Sequence, residues 1–106
     1  MAGYALCGSF RATPGEADGL AALLLEAAEA LREAEGCLLW LVNRAADDPD
    51  AVWVMEVWSD EAAHGASLGL PSVRAIIDRA RPLIAGPGER FELQPVGGHG
   101  LPSTDT

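Results

Sequence analysis

The segment Val52 to Trp58, VWVMEVW, constrains the fold more than any other part of this chain. Alternate residues of a strand face opposite sides, so Trp53, Met55 and Val57 point one way and Val52, Val54, Glu56 and Trp58 the other. Both sets are apolar, which predicts a strand covered on both faces. One carboxylate, Glu56, is then placed on a buried face beside a large aromatic. A carboxylate taken out of water needs a partner or a shifted pKa. The end of this strand is therefore where a functional site is expected.

The flanking sequence supplies the other elements. Tyr4 to Phe10 reads as a first strand. Thr13-Pro14-Gly15-Glu16 reads as a helix start, with Thr13 as N-cap, Pro14 in the first position and Glu16 completing a capping box. Leu20, Leu23, Leu24, Ala27, Ala28 and Leu31 then recur on one helical face, and Gly36 is a natural stop. Cys37 to Arg44 reads as a second strand, and Ala45 to Asp50 as the hairpin connection to the third. Ser59 is expected to cap a second helix, with Asp60 and Glu61 at its positive end. Leu70-Pro71 breaks that helix, and a further stretch runs from about Ser72 to Arg81, where Pro82 ends or kinks it. Glu89 to Gln94 reads as a short final strand. From Pro95 onward Gly, Pro, Ser and Thr dominate, so residues 96–106 are expected as a flexible tail on a single domain of residues 1–95.

The order β-α-β-β-α-β predicts a ferredoxin-like α+β domain, with an antiparallel sheet of strand order 4-1-3-2 and both helices on one face. The other face is then left with apolar side chains, either Leu38, Trp40 and Val42 or their alternates. Apolar strands without a second layer predict sheets packed between copies, and a homodimer is the economical form. At 106 residues the chain has room for one domain. No run approaches the ~20 apolar residues of a membrane span. All seven basic residues are Arg, against sixteen acidic ones, for a net charge of −9. That balance argues against nucleic acid and anionic membrane surfaces as partners. The lack of Lys, with abundant Ala and Gly, reads as the codon usage of a GC-rich bacterial genome. No basic segment followed by an apolar run opens the sequence, so the cytoplasm is the expected location. Cys7 and Cys37 fit no metal-ligand spacing and are expected as reduced thiols, separated in the sheet by the third strand.

The stretch EVWSDEAAHGASLGLPSV, Glu56 to Val73, follows a Pro-Gly helix start and a Gly-Cys strand start, and it resembles the antibiotic biosynthesis monooxygenase superfamily. The resemblance covers about Tyr4 to Pro95, and Pro95-Val96-Gly97-Gly98 is similar to tails of bacterial members. It implies a dimeric α+β barrel. It also implies cofactor-independent oxidation of a small aromatic, quinol or polyketide-like phenol by molecular oxygen. The same superfamily includes haem-degrading enzymes, signalling proteins and members of unknown activity, so a non-catalytic ligand-binding barrel and a polyketide cyclase or isomerase stand as alternatives. Quinol-type members commonly carry a His late in the helix after Glu-x-Trp and another just after the Pro. Ser67 and Ser72 hold those places here, and His64 falls where an apolar side chain is usual. The Asn, Trp and His set of haem-degrading members is not matched, because the first strand offers no Asn.

Each candidate residue has a chemical and a structural reading. Trp58 reads as a wall stacking on a flat substrate or as core filler. Glu56 reads as a group that polarises a phenol, or as a structural partner for a backbone amide or for Arg74, Arg79 or Arg81. His64 reads as a general base, since an imidazole works near neutrality, or as a satisfied side chain on a short helix. Trp40 and Asn43 are expected near the same cavity, with their facing open, and Ser67 as polar lining. No metal is expected, for want of clustered ligands. No cofactor is expected either: a Gly-rich phosphate loop between strand and helix is missing, so flavin and nicotinamide have no motif.

Overall fold

The computed structural model describes residues 3–101, so the expected tail lies outside the described residues from Pro102 to Thr106. Four strands and three helices follow in the order β1 (Tyr4–Ala12), α1 (Ala17–Ala30), β2 (Cys37–Ala45), β3 (Asp48–Trp58), α2 (Glu61–Ser67), α3 (Pro71–Ala80) and β4 (Ile84–Leu93). Short 3-10 turns, Leu31–Glu33 and Arg81–Leu83, extend α1 and α3. The sheet is antiparallel with order β2-β3-β1-β4, the ferredoxin-like arrangement expected. Leu93 is the last strand residue, and Val96 beyond it is almost wholly exposed. No helix among the described residues is long and apolar enough to cross a membrane.

Several boundaries differ from the sequence reading, each for a local reason. Thr13 does not cap α1. Its carbonyl accepts from Glu16 N at 2.9 Å, and Gly15 has φ +83. Pro followed by a positive-φ Gly is the signature of a type II turn, which uses the two residues before the helix begins. Glu16 is the N-cap, without a side-chain cap bond. Asp60 rather than Ser59 caps α2, its Oδ1 accepting from Ala63 N at 2.7 Å. Pro71 opens α3 in the first turn, where its missing N–H costs nothing. The β2–β3 hairpin needs only Ala46 and Asp47, because Asp48 to Ala51 extend β3. Finally β4 begins at Ile84, five residues early. Backbone pairing with β1 carries it through Gly86-Pro87-Gly88, with register shifts that absorb the proline.

Register assigns the faces. Toward the helices point Val52, Val54, Glu56 and Trp58 of β3, beside Leu6 and Phe10 of β1 and Trp40 and Val42 of β2. Leu20, Leu23 and Leu24 of α1 and Ile76 and Ala80 of α3 close over them. Trp58, Leu20 and Val52 are fully buried. The opposite face carries two apolar rows across the strands: Leu41, Met55, Cys7 and Phe91, then Leu39, Val57, Ala5 and Leu93. Leu41, Met55, Phe91 and Leu93 are exposed there. The alternates of Leu38, Trp40 and Val42 are thus the ones left uncovered. Cys7 and Cys37 are both free.

Gly36 joins the α1 turn to β2 and ties it to the end of β3. Its φ is +82, and its carbonyl accepts from Ser59 N at 2.8 Å. A Cβ on Gly36 would strike Ser59 Oγ and lie 2.7 Å from Ala63 Cβ. Left-handed backbone and overpacking together make Gly36→Ala destabilising by about 2–4 kcal/mol. Urea unfolding of the two proteins measures this, and a midpoint unchanged within error would place the junction outside the folded core.

Candidate functional site

Strand β3 positions the site. Glu56 and Trp58 are two residues apart, so they share the helix-facing side. Trp58 Nε1 donates to Glu56 Oε1 at 3.0 Å. The Glu-x-Trp pattern therefore has a direct physical content, a buried carboxylate given its donor by the next residue on the same face. Trp58 is 0% exposed and does not stand among the cavity-lining residues, so it packs as core at the strand end, one of its two expected readings. None of Arg74, Arg79 and Arg81 partners Glu56; Arg79 instead pairs with Glu26 at 2.9 Å.

Helix α2 brings His64 over this pair. His64 Nε2 is 3.7 Å from Glu56 Oε1, within ion-pair reach, and both side chains are mostly buried. The imidazole meets the Trp58 ring edge-on at 5.6 Å between centroids and tilts against Tyr4 at 5.4 Å. Ser67, one turn on, is buried and donates from Oγ to the His64 carbonyl at 2.6 Å, an i−3 back-bond that satisfies its hydroxyl. Strand pairing adds two residues that sequence reasoning missed. Tyr4 lies opposite Trp58. Arg90 lies opposite Gly8, on the same face as Glu56. Arg90 donates to Glu92 Oε1 at 2.7 Å and reaches Tyr4 Oη at 3.5 Å. The only hint in the sequence was an Arg-x-Glu alternation in the last strand; its position depends on the β1–β4 register.

Between this cluster, the sheet and α3 lies a cavity of about 370 Å³. Its wall is mainly apolar, from Leu6, Phe10, Leu20, Trp40, Ile76 and Ile77, with Glu56, His64, Ser67, Arg81 and Arg90 as the polar members. That volume is within the range of small-molecule sites, and so is the composition of few polar groups in an apolar wall. Trp40 contributes its ring, its Nε1 being committed to Leu24 O at 3.0 Å. Asn43 does not join them. It sits on the opposite face of the sheet, donating to the carbonyls of Leu41 and Trp53 at 3.3 and 3.4 Å. Glu56, His64, Trp40 and Ser67 are thus brought together, Trp58 backs them, and Asn43 is elsewhere. Among the described residues no three His, Cys, Asp or Glu side chains meet as a metal would require.

Burial pushes the Glu56 carboxyl above its ordinary value of 4.5, and the Trp58 hydrogen bond, His64 and Arg90 draw it part of the way back. The same burial, with Glu56 nearby, raises the Cys37 thiol and keeps it protonated. The folded protein holds the Glu56 proton more tightly than the unfolded chain does. Its contribution to stability is therefore fully present below the unfolded value and is lost as pH rises through the folded one. Glu56→Gln removes this titration. The variant is expected to gain stability relative to the parent as pH rises above about 4.5, read from urea midpoints across a pH series. A difference that stays constant with pH would mean that Glu56 is not desolvated.

The family model for antibiotic biosynthesis monooxygenase matches residues 4–79. A candidate antibiotic biosynthesis monooxygenase from Chloroflexus aurantiacus is 48% identical, with a TM-score of 0.88 over 94% of this chain and 99% of that one. A candidate of the same description from Caulobacter crescentus shares the fold at 18% identity, TM-score 0.83, over 91% of this chain and 92% of its own. Another from Nitrosomonas europaea does so at 13% identity, TM-score 0.84, over 92% and 94%. No curated protein matches the sequence. With most of its length matched by the family model and nearly half its residues shared with one such structure, the chain belongs to the antibiotic biosynthesis monooxygenase family.

Proposed function

We propose that this protein is a homodimeric monooxygenase that oxidises a small electron-rich phenol, such as a quinol or a polyketide-like anthrone, with molecular oxygen and no cofactor. The observation that carries the reading is a carboxylate–imidazole pair, Glu56 and His64, set into the wall of an otherwise apolar cavity. A phenolate of this kind passes an electron to oxygen directly. The protein then has three tasks: exclude water, take the phenol proton, and offer donors to the charge that develops on oxygen.

His64 would take that proton, and the imidazolium so formed would face the Glu56 carboxylate. Trp58 holds the carboxylate in position from behind. Arg90, steered by Glu92 and Tyr4, supplies a guanidinium at the same end of the cavity. For an anthrone the overall change balances without another reductant. The methylene carbon loses two hydrogens and gains one oxygen atom as a carbonyl, and the second oxygen atom leaves with those hydrogens as water.

Oxygen uptake with hydroquinones and anthrones is expected to exceed their autoxidation. His64→Ala is expected to lower kcat by about 100-fold or more, since a positioned base contributes roughly 10²–10⁴, while KM stays within a few-fold. Uptake at the autoxidation rate from folded protein would remove the oxygenase reading and leave a ligand-binding barrel. An unchanged kcat in His64→Ala would remove His64 as the base.

The homodimer rests on the two apolar rows of the free sheet face, which a second copy would cover. Met55 lies within the first row, so Met55→Glu is expected to yield monomers in sedimentation equilibrium where the parent sediments as a dimer. A dimer mass retained by the variant would put the interface on another surface.

A further inference from the structure

The polar side chains of the cavity fall into two places. Glu56 and His64 lie with the cluster of Tyr4, Leu6, Leu31, Trp58 and Val73. Arg81 follows the last residue of α3, next to Ala80, which packs with Ala12, Leu20 and Val52 in the other cluster. Strand register agrees, since Glu56 pairs with Leu6 while Ile84, just after the Arg81 turn, pairs with Ala12. Val73 and Arg81 are about two helical turns apart, or roughly 12 Å. The wall between them is apolar, from Phe10, Leu20, Ile76 and Ile77.

Arg81 also differs in its partners from the other cation of the cavity. Arg90 is matched to Glu92 at 2.7 Å. Arg81 has one distant contact, Nε to Asp78 Oδ1 at 3.9 Å, and its side chain is 74% exposed. Among the described residues its two terminal nitrogens have no hydrogen-bond partner. In a chain of net charge −9, an uncommitted guanidinium on the rim of an apolar cavity is the exception. Its planar fork fits a carboxylate in two-point contact.

We infer that the cavity takes an elongated, flat phenol bearing an anionic group, a carboxylate, at the end remote from its hydroxyl, and that Arg81 binds that carboxylate. The inference deepens the phenol reading above and rests on it for the hydroxyl end. The rise of roughly 12 Å along α3 from Val73 to Arg81 is comparable to the length of two or three fused rings. Arg81 sets specificity here; it takes no part in the proton transfer.

Binding tests this without turnover. The probes are 6-hydroxy-2-naphthoic acid, whose hydroxyl and carboxylate sit at opposite ends of the rings, and its methyl ester, each titrated by its own fluorescence at neutral pH. The parent is expected to bind the acid more tightly than the ester. Arg81→Gln should weaken the acid at least fivefold and leave the ester within twofold, and Arg81→Lys should restore part of the loss. An exposed side chain of this kind is replaced without unfolding the domain, which circular dichroism checks. Equal affinity of the parent for both probes, equal weakening of both in Arg81→Gln, or no binding of the acid overturns the assignment. If the selectivity holds but no phenol supports oxygen uptake, charge recognition by Arg81 stands and the oxygenase reading falls.

Discussion

The bond between Trp58 Nε1 and Glu56 Oε1 is the contact on which the site depends. A carboxylate on the helix-facing side of a central strand is costly unless it is paired and hydrogen-bonded. Trp58 supplies the donor and, being fully buried, fixes where the carboxylate can sit. The polar groups at that end of the cavity are arranged around that fixed point. His64 stands against the carboxylate and the indole edge, Tyr4 against the imidazole, and Arg90 against Tyr4. Among the described residues no fully buried side-chain nitrogen or oxygen is left without a partner.

The cavity itself follows from how the helices share the sheet. Helix α1 packs Leu20, Leu23 and Leu24 over the strands, while α3 leans on α1 and turns Val73, Ile76 and Ile77 toward the open space. Gly8 of β1 lies on the helix-facing side of the sheet without a side chain, between Val54 and Arg90. Two further short devices place α2: Asp60 caps it, and Gly36 lets the preceding turn pass close to Ser59 and Ala63. That turn is what puts His64 over Glu56.

Much of the fold was legible because its signals are local. The alternation in VWVMEVW, the apolar face from Leu20 to Leu31 and the Leu70-Pro71 break each specify an element through neighbours a few residues away. Strand β4 was half missed because Gly86-Pro87-Gly88 has poor intrinsic strand propensity and is extended only by its partner β1. The capping box at Thr13 was misread for a related reason. Pro followed by Gly serves a type II turn as well as a helix start, and the Gly15 backbone chose the turn. In the site, Glu56 and Trp58 could be found from their spacing alone, whereas Tyr4 and Arg90 are separated by 86 positions and meet only through pairing of the first and last strands.

The sequence by itself determined the α+β order, the strand carrying the buried carboxylate, the large aromatic beside it, and the likeness to a family of small oxygenases. These depend on side-chain period and on near neighbours, which a linear pattern records. Only the tertiary structure decided which face of β2 meets the cavity, sending Trp40 inward and Asn43 to the opposite side. It likewise decided that Trp58 is fully buried and outside the cavity lining, and that Arg90 and Arg81 join that lining. Those outcomes rest on sheet register and helix packing, and a shift of one residue in register would invert every face.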